Sequence, residues 1–303
     1  MKKFFKWFGI ILGGVVGLLI LALLGVYITS SLRLNKTYDV QPAAVIIPSG
    51  EAAVTEGKRQ FFTHGCIDCH DTDGAGKSVI DDPLIGFITG ANLTPGQGGI
   101  GRTFTDADWV RAIRHGIGPD GKALVIMPSV EYNRMNDEDL GNLIAYLKTL
   151  PAVDRTPPSP VVGLLGRILL VGGMIPVLPA EQIDHQAPRP AAVAKGVTVE
   201  YGHYLASQTC MGCHGAGLSG GAIPGLPPDP PFPRNLTPDK ETGLGNWSQA
   251  NFVQAIRQGQ RPDGTTLNPS KMPWPAFRRL TDEELAALWL YLQSVPAKSY
   301  GNR

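Results

Sequence analysis

Cysteine is scarce in this chain: four in 303 residues. A disulfide-stapled framework, which needs cysteines spread along the chain, is therefore excluded. Charge of one sign is also missing. Lys and Arg total 27 and Asp and Glu 26, a net charge of +1, so no large single-sign field exists to draw nucleic acid. No run of strand-like alternation of useful length appears, which argues against a β-sandwich or barrel. Charged side chains are absent from one long stretch, residues 7–32.

All four cysteines lie in two pentapeptides, Cys66-Ile67-Asp68-Cys69-His70 and Cys210-Met211-Gly212-Cys213-His214. Cys-x-x-Cys-His is the pattern of c-type haem attachment: two thiols form thioethers to one haem, and the histidine ligates its iron. A four-thiolate zinc site would leave both histidines without a role. A Cys-x-x-Cys disulfide closes a tight loop that belongs to redox motifs more than to structural bridges. Two covalently held haem c groups, on Cys66, Cys69, Cys210 and Cys213, are the expected cofactors.

The motifs sit in a long internal repeat, with an offset between 143 and 145 residues. Asn92-Leu93-Thr94-Pro95 recurs as Asn235-Leu236-Thr237-Pro238, and Trp109 to Gly116 as Phe252 to Gly259. Met127-Pro128 recurs as Met272-Pro273, and Asn136 to Leu140 as Thr281 to Leu285. Repetition narrows the choice of the sixth iron ligand. The first repeat offers His64, His115, Met127 and Met135, and the second His203 and Met272. Only Met127 and Met272 are equivalent, so the expected axial ligands are His70 with Met127 and His214 with Met272. Met135, aligned with Leu280, reads as core filler. Arg114 and Arg257 read as haem-propionate partners or as solvated helix-face residues. Asn92 and Asn235 read as turn or loop-capping residues, Trp109 and Trp247 as core aromatics, and His64 and His203 as near-surface residues.

Each repeat ends in an expected helix, capped by Asn136 or Thr281 with an acid three residues on. Leu140, Leu143, Ile144 and Leu147 keep helical spacing, as do Leu285, Leu288, Trp289 and Leu292. A shorter amphipathic helix is expected near Asp106 to His115 and Ser248 to Gln258. Gly- and Pro-rich loops, including Pro227-Pro228-Asp229-Pro230-Pro231, join these elements. The fold class is all-α.

On these motifs the chain resembles class I c-type cytochromes in a tandem dihaem form, over roughly residues 50–152 and 196–297. The Asn-Leu-Thr-Pro segments and Ala-Ile-Arg helices are similar to those of cytochrome c subunits of bacterial membrane-bound dehydrogenases, although those carry a third haem motif absent here. The resemblance implies a small helical domain around each haem and outer-sphere electron transfer, with no catalysis by the chain itself. Methionine opposite histidine raises the potential and leaves no open site. The implied donors are a dehydrogenase or a quinol-oxidising complex, and the implied acceptors an oxidase or a soluble cytochrome. The rival is a dihaem enzyme of peroxidase or thiosulfate-oxidising type with one open iron; a gas sensor would need the same open iron.

The charge-free stretch is apolar over residues 8–28, enough to span a bilayer. Lys2, Lys3 and Lys6 precede it, which puts the N-terminus in the cytoplasm and the rest of the chain outside. Its length and the poor cleavage match at Thr29-Ser30-Ser31 favour an uncleaved anchor over a signal peptide. The expected organisation is an anchor at 1–33, a cytochrome domain at 34–152, a Pro-rich connector at 153–195 and a second cytochrome domain at 196–303. Residues 161–178 are apolar, but Arg167, Pro176 and the glycines argue against a second span. The expected location is the inner membrane, with both haem domains on the periplasmic side.

Overall fold

The structure is a computed structural model of the chain and describes residues 2–175, 177–224 and 229–303. Pro176 of the connector and Pro227-Pro228 of the proline-rich loop lie outside the described residues.

The charge-free stretch is one helix, α1 (Lys2–Leu34), and none of its most apolar window is buried within the protein. The first repeat then runs α2 (Glu51–Thr63), α3 (Ile67–His70), β1 (Ser78–Asp82), β2 (Gly86–Thr89), α4 (Asp106–His115), α5 (Ser129–Tyr132) and α6 (Asp137–Leu147). The connector contributes β3 (Val161–Val162) and α7 (Leu164–Val171). The second repeat runs α8 (Val199–Thr209), α9 (Met211–His214), α10 (Gln249–Gln258), α11 (Trp274–Phe277) and α12 (Asp282–Ser294).

Both expected middle helices form, as α4 and α10. Thr105 and Ser248 close capping boxes at their starts, and Gly116 and Gly259 end them in the left-handed conformation that glycine adopts freely. Thr281 and Glu284 form a capping box on α12, while Asn136 accepts the Asp139 N–H on α6. Leu140, Leu143, Ile144 and Leu147 enter one core with Phe61, Trp109 and Ile113. Leu285, Leu288 and Leu292 enter the other with Tyr201, Leu205 and Phe252.

The helices that lead into the haem motifs, α2 and α8, are additions to the helices expected from periodicity. Each crosses the last helix of its own repeat, α2 on α6 and α8 on α12. The crossings are made by Gly57 and Gly202, equivalent positions. A Cβ on Gly57 would lie 1.9 Å from the Asn142 carbonyl oxygen, and one on Gly202 2.1 Å from that of Ala287. A small antiparallel sheet, β1-β2-β3, is an addition to the all-α expectation. It turns at Asp82, whose side chain accepts the N–H groups of Leu84 and Ile85 at 2.8 Å, and its strands are too short for alternation to stand out.

The two repeats meet through paired contacts. Arg59 of α2 reaches Glu284 of α12, and Tyr204 of α8 reaches Asp139 of α6. Residues 59 and 204 are equivalent, as are 284 and 139, so the repeats are related by an approximate two-fold. Closer to the motifs, Glu131 of α5 lies against Gly212. Ala276, the counterpart of Glu131, lines a cleft together with Asp68, the counterpart of Gly212. Each repeat thus places the short helix after its Met-Pro pair beside the other repeat's Cys-x-x-Cys-His.

Candidate functional site

In the first repeat α2 delivers the chain to the motif, where α3 makes one turn and the His70 N–H bonds the Cys66 carbonyl at 2.9 Å. That turn sets Cys66, Cys69 and His70 on the wall of a cavity of about 340 Å³. Met127, 57 residues past His70, lines the same cavity, with Asn92 and Tyr132. The second repeat repeats the arrangement: a cavity of about 320 Å³ is lined by Cys213, His214, Met272, Asn235 and Trp247. Cys210 packs against the adjoining core.

Both histidines are held in one orientation. His70 Nδ1 bonds the Ala91 carbonyl at 2.8 Å, and His214 Nδ1 bonds the Arg234 carbonyl at 2.6 Å. Each therefore carries its proton on Nδ1 and keeps the Nε2 lone pair free, the arrangement that fixes a metal-ligating histidine. Burial lowers the His214 pKa to about 4 and lowers His70 in the same direction. Near neutral pH both are uncharged, as iron ligation requires. Burial also pushes the Cys66 thiol up to about 12 and Cys210 to about 11, and none of the four cysteines is in a disulfide. An apolar slot with an oriented imidazole, a thioether sulfur and thiols on its wall (Cys66 and Cys69 in the first repeat, Cys213 with Cys210 in the adjoining core in the second) fits a covalently attached haem in each repeat.

Asn92 and Asn235 are buried and do more than cap a turn. Each accepts the N–H two residues on, from Thr94 at 2.9 Å and from Thr237 at 3.0 Å. Each also ties down the segment beyond its last helix: Asn92 Nδ2 donates to the carbonyls of Val153 and Arg155, and Asn235 Nδ2 to that of Lys298. Arg114 and Arg257 are tied to the protein, and neither is among the residues lining the two cavities. Arg114 donates to the Met135 carbonyl and to Asp137, both at 2.9 Å, while Arg257 donates to the Leu280 carbonyl and to Asp282. In both repeats this arginine braces the start of the last helix by pairing with its first acidic residue and a carbonyl just ahead of it.

Met135 is fully buried in the first core, and Trp109 is buried beside it. His203 is exposed against Tyr291. His64 is half-buried between the repeats and its Nε2 meets Gln208 at 3.0 Å.

The sequence profile described as cytochrome c matches residues 54–151 and again 199–296. The chain belongs to the cytochrome c family. It is a tandem of two cytochrome c domains with two covalently bound haem c groups. Among related cytochromes, the fructose dehydrogenase cytochrome subunit of Gluconobacter japonicus is 29% identical over 280 residues, 85% of this chain and 55% of that subunit. The gluconate 2-dehydrogenase cytochrome c subunit of Pantoea cypripedii is 37% identical over 103 residues, 32% of this chain and 23% of the relative. A dihaem c-type cytochrome of Cereibacter sphaeroides is 27% identical over 316 residues, covering 91% of this chain and 97% of its own. This cytochrome thus spans about half the length of the first of these relatives, about a quarter of the second, and nearly the whole of the third.

Proposed function

We propose that this dihaem cytochrome c is an electron relay, with His70 and Met127 axial to one haem iron and His214 and Met272 to the other. One observation carries the reading: each cavity receives its motif histidine, the second cysteine of its motif and the repeat's methionine from equivalent positions. Bound haem supplies one-electron chemistry at iron. Cys66 and Cys69, and Cys210 and Cys213, hold it covalently by thioether bonds. His70 and His214 present Nε2 from rings locked by backbone carbonyls, so little reorganises when an electron arrives. Met127 and Met272 fill the remaining axial position, which raises the potential and keeps dioxygen and peroxide off the metal.

Two adjacent residues bridge the first cavity to the second motif. Tyr132 of α5 lines the first cavity, and its neighbour Glu131 packs on Gly212 in the second motif. A through-protein path of this kind suits a hop from one domain to the other. The donor is a dehydrogenase, as the named relatives suggest, or a quinol-oxidising complex; the acceptor is an oxidase or a soluble cytochrome. With α1 as an uncleaved anchor, both domains stand on the periplasmic face of the inner membrane. Residues 34–152 and 196–303 are the two domains and 153–195 the connector.

The visible spectrum of the reduced protein, with and without carbon monoxide, tests the ligation. An unchanged spectrum is expected. A shift in half or more of the haem would reveal an open iron and replace the relay by a reaction at that site.

A further inference from the structure

A surface helix normally turns its polar side outward, and α7 does the opposite. Its one charged residue, Arg167, folds back: it donates to the hydroxyls of Ser30 and Ser31 at 2.8 and 3.0 Å and to the Val162 carbonyl, with its guanidinium 4.7 Å from the centre of the Tyr27 ring. Gly166 and Leu170 face the protein. Leu164 and Leu165 are left outside, 49% and 38% exposed. The small sheet beside them adds Leu84, in its first turn, at 61%, Phe87 at 45% and Val161 at 55%. These residues adjoin: the Leu165 N–H bonds the Leu84 carbonyl, and Phe87 pairs with Val161 in the ladder. Asp81, opposite Phe87, lies at the border of the patch. Single exposed apolar side chains are ordinary, but five on adjoining segments are not.

Contacts with α1 set the depth of this patch. Arg33 donates to the Leu170 carbonyl at 2.5 Å, whereas Arg167, one turn earlier in α7, meets Ser30, Ser31 and Tyr27. Moving back along α7 therefore moves down α1 toward its apolar stretch, and Leu164 and Leu165 lie further in that direction. Trp7 and Tyr27 are about 30 Å apart along the helix, the thickness of a bilayer core, and aromatic residues of this kind mark its two surfaces.

We infer that Leu84, Phe87, Val161, Leu164 and Leu165 form a second membrane contact, seated in the headgroup boundary of the lipid bilayer beside α1. The inference rests on the anchor reading of α1. The occupant is the bilayer because the patch is continuous with the helix that enters it and sits at the level of its interfacial tyrosine. The contact would fix the tilt of the first domain: β2 continues from Phe87 into Ile88 and Thr89, which line the first haem cavity. That pocket is then held close to the membrane surface, the place from which a membrane-bound electron partner would reach it.

Site-directed spin labels on the full-length holoprotein in phosphatidylcholine vesicles test this. Thioethers occupy the native cysteines, so Leu84→Cys and Leu164→Cys each provide one labelling site. Both labels are expected to favour dissolved oxygen over a water-soluble nickel chelate several-fold more than a label at Ile46→Cys, an exposed position in the first domain. A ratio equal to that at Ile46 would place the patch in water and overturn the contact. Exclusion of both reagents would mean that protein covers it, and would also overturn it. A label at Leu18→Cys separates the two readings: a bilayer-like value there with an aqueous one at 164 removes only the contact, while an aqueous value at both removes the anchor as well.

Discussion

Arg59 and Tyr204 are counterparts in the two repeats, and each grips the carboxylate at the third position of the other repeat's last helix. Arg59 clamps Glu284 through two bonds of 2.7 Å, and Tyr204 donates to Asp139 at 2.5 Å. Those carboxylates also serve their own domains. Glu284 accepts the Thr281 N–H at the helix start, and Asp139 accepts from Gln60. At Glu284 cross-domain docking and helix capping thus share one carboxylate, and at Asp139 docking shares it with the tie to α2, so the two haem domains cannot shift without disturbing contacts inside each domain.

Arg59→Ala is expected to destabilise the holoprotein by about 3 kcal/mol, because it strands the nearly buried Glu284. Tyr204→Phe removes one hydrogen bond to a charged group and should cost about 2 kcal/mol. Guanidinium unfolding followed in the haem absorbance would measure both. Wild-type midpoints for the two variants would show that the domains are not docked through these pairs.

The glycine crossings allow a sharper test of packing. Gly57→Ala and Gly202→Ala should each lower stability by about 1–3 kcal/mol, since each methyl runs into a backbone carbonyl that cannot rotate away. Thermal unfolding of the two single variants is the measurement. A neutral Gly202→Ala would mean that α8 and α12 are further apart than the structure has them.

Ligation can be read one haem at a time. Met127→Ala and Met272→Ala should each open one iron, so that carbon monoxide shifts about half of the reduced spectrum and the potential of that haem falls. Redox titration with gas binding on the same sample would show it. Met135→Leu serves as the control, expected to bind no gas because Met135 is core filling.

Acid should loosen the connector. His115 and His185 face each other with their Nδ1 atoms 3.2 Å apart, a contact that needs at least one uncharged ring. Burial, then the charges of His185, Arg114 and Arg111, lowers His115 to about 4, and burial lowers His185 as well, with Lys36 adding to this and Asp184 opposing it. An unfolded histidine titrates near 6.5. Between those values the unfolded chain binds more protons, so stability is full above about pH 6.5 and is lost as pH falls toward 4. Limited proteolysis of residues 153–195 should accelerate across that window. His115→Gln, which installs the residue found at the equivalent position 258, should flatten the dependence; an unchanged slope would exclude the pair as its source.

Much of this protein is legible in one dimension because its chemistry is local and written twice. Cys-x-x-Cys-His is a contiguous unit, and the offset between repeats singles out Met127 and Met272 without any knowledge of the fold. Helix starts at Thr105, Ser248, Asn136 and Thr281 depend on side chains three residues apart, so they too are readable. Other features depend on partners far along the chain. Arg114 and Arg257 have the same sequence signature whether they hold a propionate, face water or brace a helix start, and only the positions of Asp137 and Asp282 decide. The crossings at Gly57 and Gly202 depend on a carbonyl some 85 residues away. The sequence by itself determined the cofactor chemistry and the duplication, because covalent attachment and helix capping act over a few residues. Only the tertiary structure decided how the repeats face each other, and which way α7 turns its apolar side, because docking and burial are set by surfaces that meet only once the chain is folded.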